Sequence, residues 1–147
     1  MIPRAVDMAA RPLADLPLVL IVEDEEPLAE MVAVIVREAG YRSVVARHGR
    51  EALKLARAER PALLLTDLML PHLDGTEIIA ALRADAATSG VPAPPMVLMT
   101  AANLGQARAA GAEVVLRKPF RLEDLEALLR RFLGPPAPDS AAPASDE

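Results

Sequence analysis

The chain has 147 residues, 52% of them hydrophobic, no cysteine and a formal net charge of -5. That length and apolar share suit one domain with a real core, and the missing cysteines exclude a disulfide framework, a thiolate metal site and a cysteine nucleophile. The acidic balance, with two Phe and one Tyr, argues against nucleic acid as the main partner and against a base-stacking platform.

Residues 1–17 carry Pro3, Pro12 and Pro17 without a clean period, and are expected to be a mostly disordered leader. They lack the continuous apolar core of a signal peptide, and no run in the chain approaches the about 20 apolar residues that span a bilayer. The expected location is therefore the cytoplasm.

Leu18-Val19-Leu20-Ile21-Val22 is an apolar run without alternation, the pattern of a strand buried on both faces of a parallel sheet. It ends in Glu23-Asp24-Glu25-Glu26, and Pro27 suits the first position of a helix. Leu28, Met31, Val32, Ile35, Val36 and Ala39 fall at helical spacing, and Gly40 is a stop signal. Residues 41–46 read as a second strand. Residues 49–59 read as a helix with Ala52, Leu53 and Ala56 inward, closed by Pro61. Ala62-Leu63-Leu64-Leu65-Thr66-Asp67 is a third strand ending in a carboxylate, and Pro71 and Asp74-Gly75 break the chain after it. A helix is expected over residues 75–84 with Ile78, Ile79 and Leu82 on one side, then a loop over 85–95. Met96-Val97-Leu98-Met99-Thr100 is a fourth strand, residues 101–110 hold a short, weak helix, and residues 113–117 form a fifth strand leading into Lys118-Pro119-Phe120. The last helix covers residues 122–133, with Leu122, Leu125, Leu129 and Phe132 on one stripe. Residues 134–147, rich in Pro and Ala with three acids, are expected to be a disordered tail. There is no internal repeat.

Strands that alternate with helices imply an α/β fold, a doubly wound parallel sheet with helices on both faces. Ligands of such sheets bind beyond the carboxyl ends of the strands. Those ends carry Glu23, Asp24, Asp67, Thr100 and Lys118. Each has an ordinary reading by itself: acids favouring a helix N-terminus, a strand-end or capping Thr, a solvated loop Lys. Together, if their strands are neighbours, they place three acids, a hydroxyl and an ammonium in one crevice. A cation offsets such crowded carboxylates, and hard oxygen donors without cysteine suit Mg2+. His48 and His72 read as exposed loop histidines, and Arg117 and Arg121 as solvated.

The chain at this point resembles the receiver domains of two-component response regulators. The resemblance rests on Leu20-Ile21-Val22-Glu23-Asp24-Glu25, on Leu64 through Gly75, on Val97-Leu98-Met99-Thr100-Ala101, and on Gly111-Ala112 with Lys118-Pro119-Phe120. It covers residues 18–133 and implies a flavodoxin-like fold of strand order 2-1-3-4-5. It implies further that Asp67 accepts a phosphoryl group from a histidine kinase or phosphotransfer protein. Asp24 and Asp67 would bind Mg2+, with Glu23 as a helper and the Met69 carbonyl as a further ligand. Thr100 and Lys118 would contact the phosphoryl oxygens, the small Ala101 would leave them approachable, and the Lys118-Pro119 bond would be cis.

Two departures stand out. Family members usually carry an aromatic residue three positions before the lysine, and here that position is Val115. The stretch from Thr100 to Gly111 is shorter than usual and includes Asn103 and Gly105, both poor helix formers. The fourth helix is therefore expected to be shortened, shifted or partly disordered. With only the Pro/Ala-rich tail after Leu133, the expected type is a stand-alone receiver that signals by protein contacts, with at most slow loss of its own phosphate. Two other readings compete. A receiver-like module independent of phosphorylation is one. A haloacid dehalogenase-type hydrolase is the other, and it needs a second Asp where this chain has Met69.

Overall fold

The three apolar runs that end in Val22, Asp67 and Thr100 become strands buried at every position: β1 (Leu18–Val22), β3 (Leu63–Asp67) and β4 (Met96–Thr100). In this computed structural model, which describes residues 12–101 and 104–135, they are the middle of a five-stranded sheet of order β2-β1-β3-β4-β5. β2 (Arg42–Ala46) and β5 (Val114–Arg117) close its edges, and every pairing is parallel. The physical logic is that a central strand in such a sheet meets helices on both faces. An edge strand tolerates the polar Arg42, Ser43 and Arg117.

Between the strands lie α1 (Glu26–Glu38), α2 (Gly49–Glu59), α3 (Gly75–Ser89) and α4 (Leu104–Ala109), and α5 (Leu122–Leu133) closes the described fold. α1 and α5 pack Val32, Val36, Leu125 and Leu129 onto Val19, Ile21, Leu65 and Met99. α2, α3 and α4 pack Ala52, Ala56, Ile78, Ile79 and Ala107 onto Leu20, Val22, Leu64 and Leu98. Alternate residues of each central strand thus feed opposite cores, as the period-2 geometry of a strand requires. This is the expected doubly wound fold, in the expected strand order.

Several local expectations are corrected. On α1 the buried residues are Ala29, Val32, Ala33 and Val36, while Met31 is 45% exposed. Two alanines let the helix lie close to the sheet, which rotates the contact stripe and leaves Leu28, Ile35 and Ala39 at its border. On α5, Leu122 is 50% exposed and Leu128 is buried in its place. As the first helical residue, Leu122 precedes the turns that meet the sheet. α3 runs to Ser89 and not to Ala84, so the expected loop begins later. Ala86 and Ala87 extend the helix, and Gly90, at φ 80, caps it with its N–H on the Ala86 carbonyl. The Arg57–Asp85 ion pair, 2.7 Å, pins the added turn to α2. His48 is more than a loop residue: it is the N-cap of α2, its Nδ1 accepting the Glu51 N–H.

α4 is short, at six residues, and the neighbouring 102–103 lie outside the described residues. Of the expected leader, residues 1–11 lie outside the described residues. Its last part is held, with a turn of 3-10 helix at Leu13–Asp15. The Arg42 N–H donates to the Pro17 carbonyl at 2.9 Å, and Arg42 Nε to that of Leu16 at 3.0 Å. Of the expected tail, residues 136–147 lie outside the described residues. Among the described residues no helix is long and apolar enough to cross a membrane.

Candidate functional site

Parallel pairing carries the strand ends to one edge of the sheet. Val22 pairs with Thr66, which sets Glu23 beside Asp67, and Asp67 pairs with Met99. The ladder continues past the strands: the Leu68 N–H donates to the Met99 carbonyl and the Lys118 N–H to the Thr100 carbonyl, at 2.9 and 2.8 Å. Lys118 therefore turns back over the sheet edge.

Glu23, Asp24 and Asp67 each offer a carboxylate oxygen, and these oxygens lie within 4.8 Å of one another. Glu23 is wholly buried, Asp67 is 8% exposed, and Asp24 faces solvent. Lys118 Nζ donates to Glu23 Oε1 at 3.0 Å and lies 3.3 Å from Asp67 Oδ2. The Glu25 N–H donates to Glu23 Oε2 at 3.2 Å. Thr100 is buried at the end of β4. Ala101 is exposed beyond it, Met69 is exposed two residues past Asp67, and the Lys118-Pro119 peptide is cis. Val115 is half-buried in the core under the three-helix face. Glu23, Asp24, Asp67 and Lys118 thus come together at one end of the sheet. Not foreseen was that Glu23, read as a helper, is the nearer partner of Lys118; the sequence signal was an acid continuing directly from a fully buried strand.

Two glycines shape the walls. A Cβ on Gly75 would lie 2.5 Å from the Asp67 carbonyl oxygen and 2.7 Å from Leu98 Cδ2. One on Gly49 would lie 2.5 Å from the Leu73 carbonyl oxygen. Asp74-Gly75, expected to break the chain just ahead of a helix, caps α3 at its expected start. Asp74 accepts the Glu77 N–H and Glu77 accepts the Asp74 N–H, a capping box.

Burial pushes the Asp67 carboxyl above its ordinary value, Lys118 opposes that, and the Asp24 charge adds to it. Glu23 is raised for the same first reason, against its hydrogen bond from Lys118 and with the charge of Asp67. Burial alone would lower Lys118, but Glu23 and Asp67 hold it above its ordinary value. Three carboxylates thus face one ammonium, leaving two negative charges in excess. A hard divalent cation matches both that charge and the all-oxygen donor set.

The sign of the pH dependence follows. An acid whose folded pKa is raised contributes stability below its unfolded value, 3.8 for Asp67, and loses it as pH rises through the folded value. Asn cannot ionise. In chelator, Asp67→Asn is therefore expected to gain stability over the parent as pH rises from about 4 toward 7. Urea unfolding at several pH values reads this directly, and a gain that shrinks with rising pH would refute it.

A profile of the response regulator receiver domain matches residues 19–130. The DNA-binding response regulator MtrA of Mycobacterium tuberculosis is 37% identical over 119 residues, 78% of this chain and 50% of that protein. Response regulator MprA of Mycolicibacterium vanbaalenii is 35% identical over 127 residues, 84% of this chain and 53% of that protein. The chain spans about half the length of these curated relatives. Among solved structures, chemotaxis protein CheY4 of Vibrio cholerae superposes with a TM-score of 0.71 at 30% identity, covering 80% of this chain and 99% of that one. A CheY-like receiver domain protein from Methanospirillum hungatei gives 0.72 at 25% identity, covering 81% and 94%. The acidic cluster at the sheet edge is thus seated in a fold and a sequence that both point one way, and the chain belongs to the response regulator receiver domain family of two-component signalling.

Proposed function

We propose that Asp67 accepts a phosphoryl group from a phosphohistidine on a histidine kinase or phosphotransfer protein, and that the domain then signals through protein contacts in the cytoplasm. The observation that carries the reading is the position of Lys118 Nζ, within 3.0 Å of Glu23 and 3.3 Å of Asp67, at the rim of a three-carboxylate cluster. An Asp67 oxygen attacks phosphorus as the P–N bond to the donor imidazole breaks. The electron pair stays on the imidazole nitrogen, which takes up a proton, and an aspartyl phosphate remains.

In this scheme Lys118 holds the charge of Asp67 before transfer and follows the phosphoryl oxygens afterwards. The Thr100 hydroxyl serves those oxygens from the end of β4, and Ala101 leaves room for them. Glu23, Asp24, Asp67 and the Met69 carbonyl are the groups that would hold Mg2+. Bound there, the cation would supply positive charge to offset that of the transferring group and of the Asp67 carboxylate. Attack of water on phosphorus later returns the carboxylate, so slow self-dephosphorylation is expected.

The test is phosphorylation by acetyl phosphate, followed by intact mass. The parent chain in Mg2+ should gain one phosphoryl group, while Asp67→Asn, or the parent in chelator, should gain none. An unmodified parent would overturn the reading and favour a module that works without phosphorylation. Equal labelling of Asp67→Asn would move the acceptor elsewhere.

A further inference from the structure

The sheet edge opposite the acidic cluster carries a groove of about 690 Å3 between the C-terminal ends of α2 and α3. Ala56 and Leu82 line it from the two helices, and Ala62 and the stretch Pro92-Ala93-Pro94-Pro95 from the starts of β3 and β4. Its rim is basic. Arg57 is held by Asp85. Arg60 is exposed and has no ion-pair partner among the described residues. Arg50 and Lys54 continue an exposed basic row along α2 at helical spacing with Arg57. Glu59 lines a different cavity, with Leu13 and Leu16.

This face is cationic on a chain whose net charge is -5. The chain itself contains a complementary segment. Residues 135–147 read Pro-Pro-Ala-Pro-Asp-Ser-Ala-Ala-Pro-Ala-Ser-Asp-Glu, with three acids and no Lys or Arg. Pro and Ala lose no side-chain rotamer freedom on binding, which suits a groove itself walled by Pro and Ala.

The reach is sufficient. Gly134 accepts a hydrogen bond from Tyr41 Oη at 2.5 Å, and Tyr41 directly precedes β2, so the segment leaves at the same end of the strands as the groove, though from the α1/α5 face of the sheet. Strands lie about 4.8 Å apart, so the β3–β4 floor is roughly 15 Å along the sheet, and the segment must also pass round the strand ends to the other face. Thirteen residues at about 3.1 Å each reach at most about 40 Å.

We propose that residues 135–147 bind this groove of their own chain, the Pro/Ala stretch lying on the apolar floor and the acids meeting Arg60 and the α2 row. The segment then covers the α2–α3 surface, and a protein that uses that surface must displace it. The inference does not rest on the phosphoryl chemistry at Asp67.

The absence of cysteine allows a single nitroxide label on the full chain through Ser145→Cys. Backbone amides of Ala56, Arg60, Ala62 and Val91 should lose most of their NMR intensity, while those near Asp24 and Thr100 keep theirs. Adding Arg60→Glu should restore the groove signals, as should about 1 M salt, which screens charges within about 3 Å. Broadening spread evenly over the surface would overturn the proposal. So would groove broadening that appears fully in a mixture of isotope-labelled unlabelled-nitroxide chain with nitroxide-bearing chain, because the occupant would then be a second copy. Groove broadening unchanged by both Arg60→Glu and salt would overturn the charge pairing.

Discussion

Lys118→Ala is expected to destabilise the metal-free chain by about 3 kcal/mol, the low end for breaking a buried ion pair. The reason is what remains. Glu23 is wholly buried with its Oε1 on Lys118, and Asp67 is nearly so. Without the ammonium, two neighbouring carboxylates must lose solvation uncompensated or take up protons, and both carry raised pKa values even with Lys118 present. The low end applies because solvent reaches Lys118, whose side chain is 18% exposed. Urea unfolding at neutral pH in chelator measures the loss. Below about pH 4 both acids approach neutrality and the loss should shrink. A variant that unfolds at the parental urea concentration at neutral pH would show that the ammonium offsets nothing there.

Gly75→Ala should cost about 2 kcal/mol and, on the proposed function, weaken Mg2+ binding as well. Its methyl would sit 2.5 Å from the Asp67 carbonyl oxygen, a backbone atom at the end of the central strand, and 2.7 Å from Leu98 Cδ2. The carbonyl oxygen is backbone and cannot swing away, and the Leu98 methyl, though a side-chain end, is wholly buried in the core, so α3 or the end of β3 must shift; overpacking of this kind costs about 1–3 kcal/mol. The shift falls on the residue that carries the carboxylate. Thermal unfolding reads the first effect and calorimetric Mg2+ titration the second. Gly105→Ala is the control: nothing lies within 4 Å of the added carbon, and alanine favours a helix by up to about 1 kcal/mol over glycine. If both variants behave alike, the close approach at Gly75 has no consequence.

Strands β1, β3 and β4 were legible because an apolar run without alternation is a local property, and a parallel sheet buried on both faces is the arrangement that hides it. The identity of the site was legible for a related reason. Parallel strands all end at one edge, so charged residues at strand ends must share it wherever their strands adjoin. The order that makes them adjoin came through the resemblance to receiver domains, since spacing alone leaves several orders open.

Other features depended on contacts between distant parts of the chain. Met31 and Leu122 satisfy the helical period, yet lie exposed, because the face a helix buries depends on how closely it approaches the sheet and where it overhangs. α3 gained a turn where Asp85 met Arg57 from α2. Gly75 was read as a break opening a helix, and only the fold shows the Asp67 carbonyl lying against it. Lys118, expected beside the phosphoryl oxygens, has its nearest partner in Glu23, 95 residues away, with Asp67 slightly farther. Composition and periodicity report what each residue prefers among its sequence neighbours. Which carboxylate an ammonium meets is decided by strand register and by burial, and both arise only when distant segments pack together.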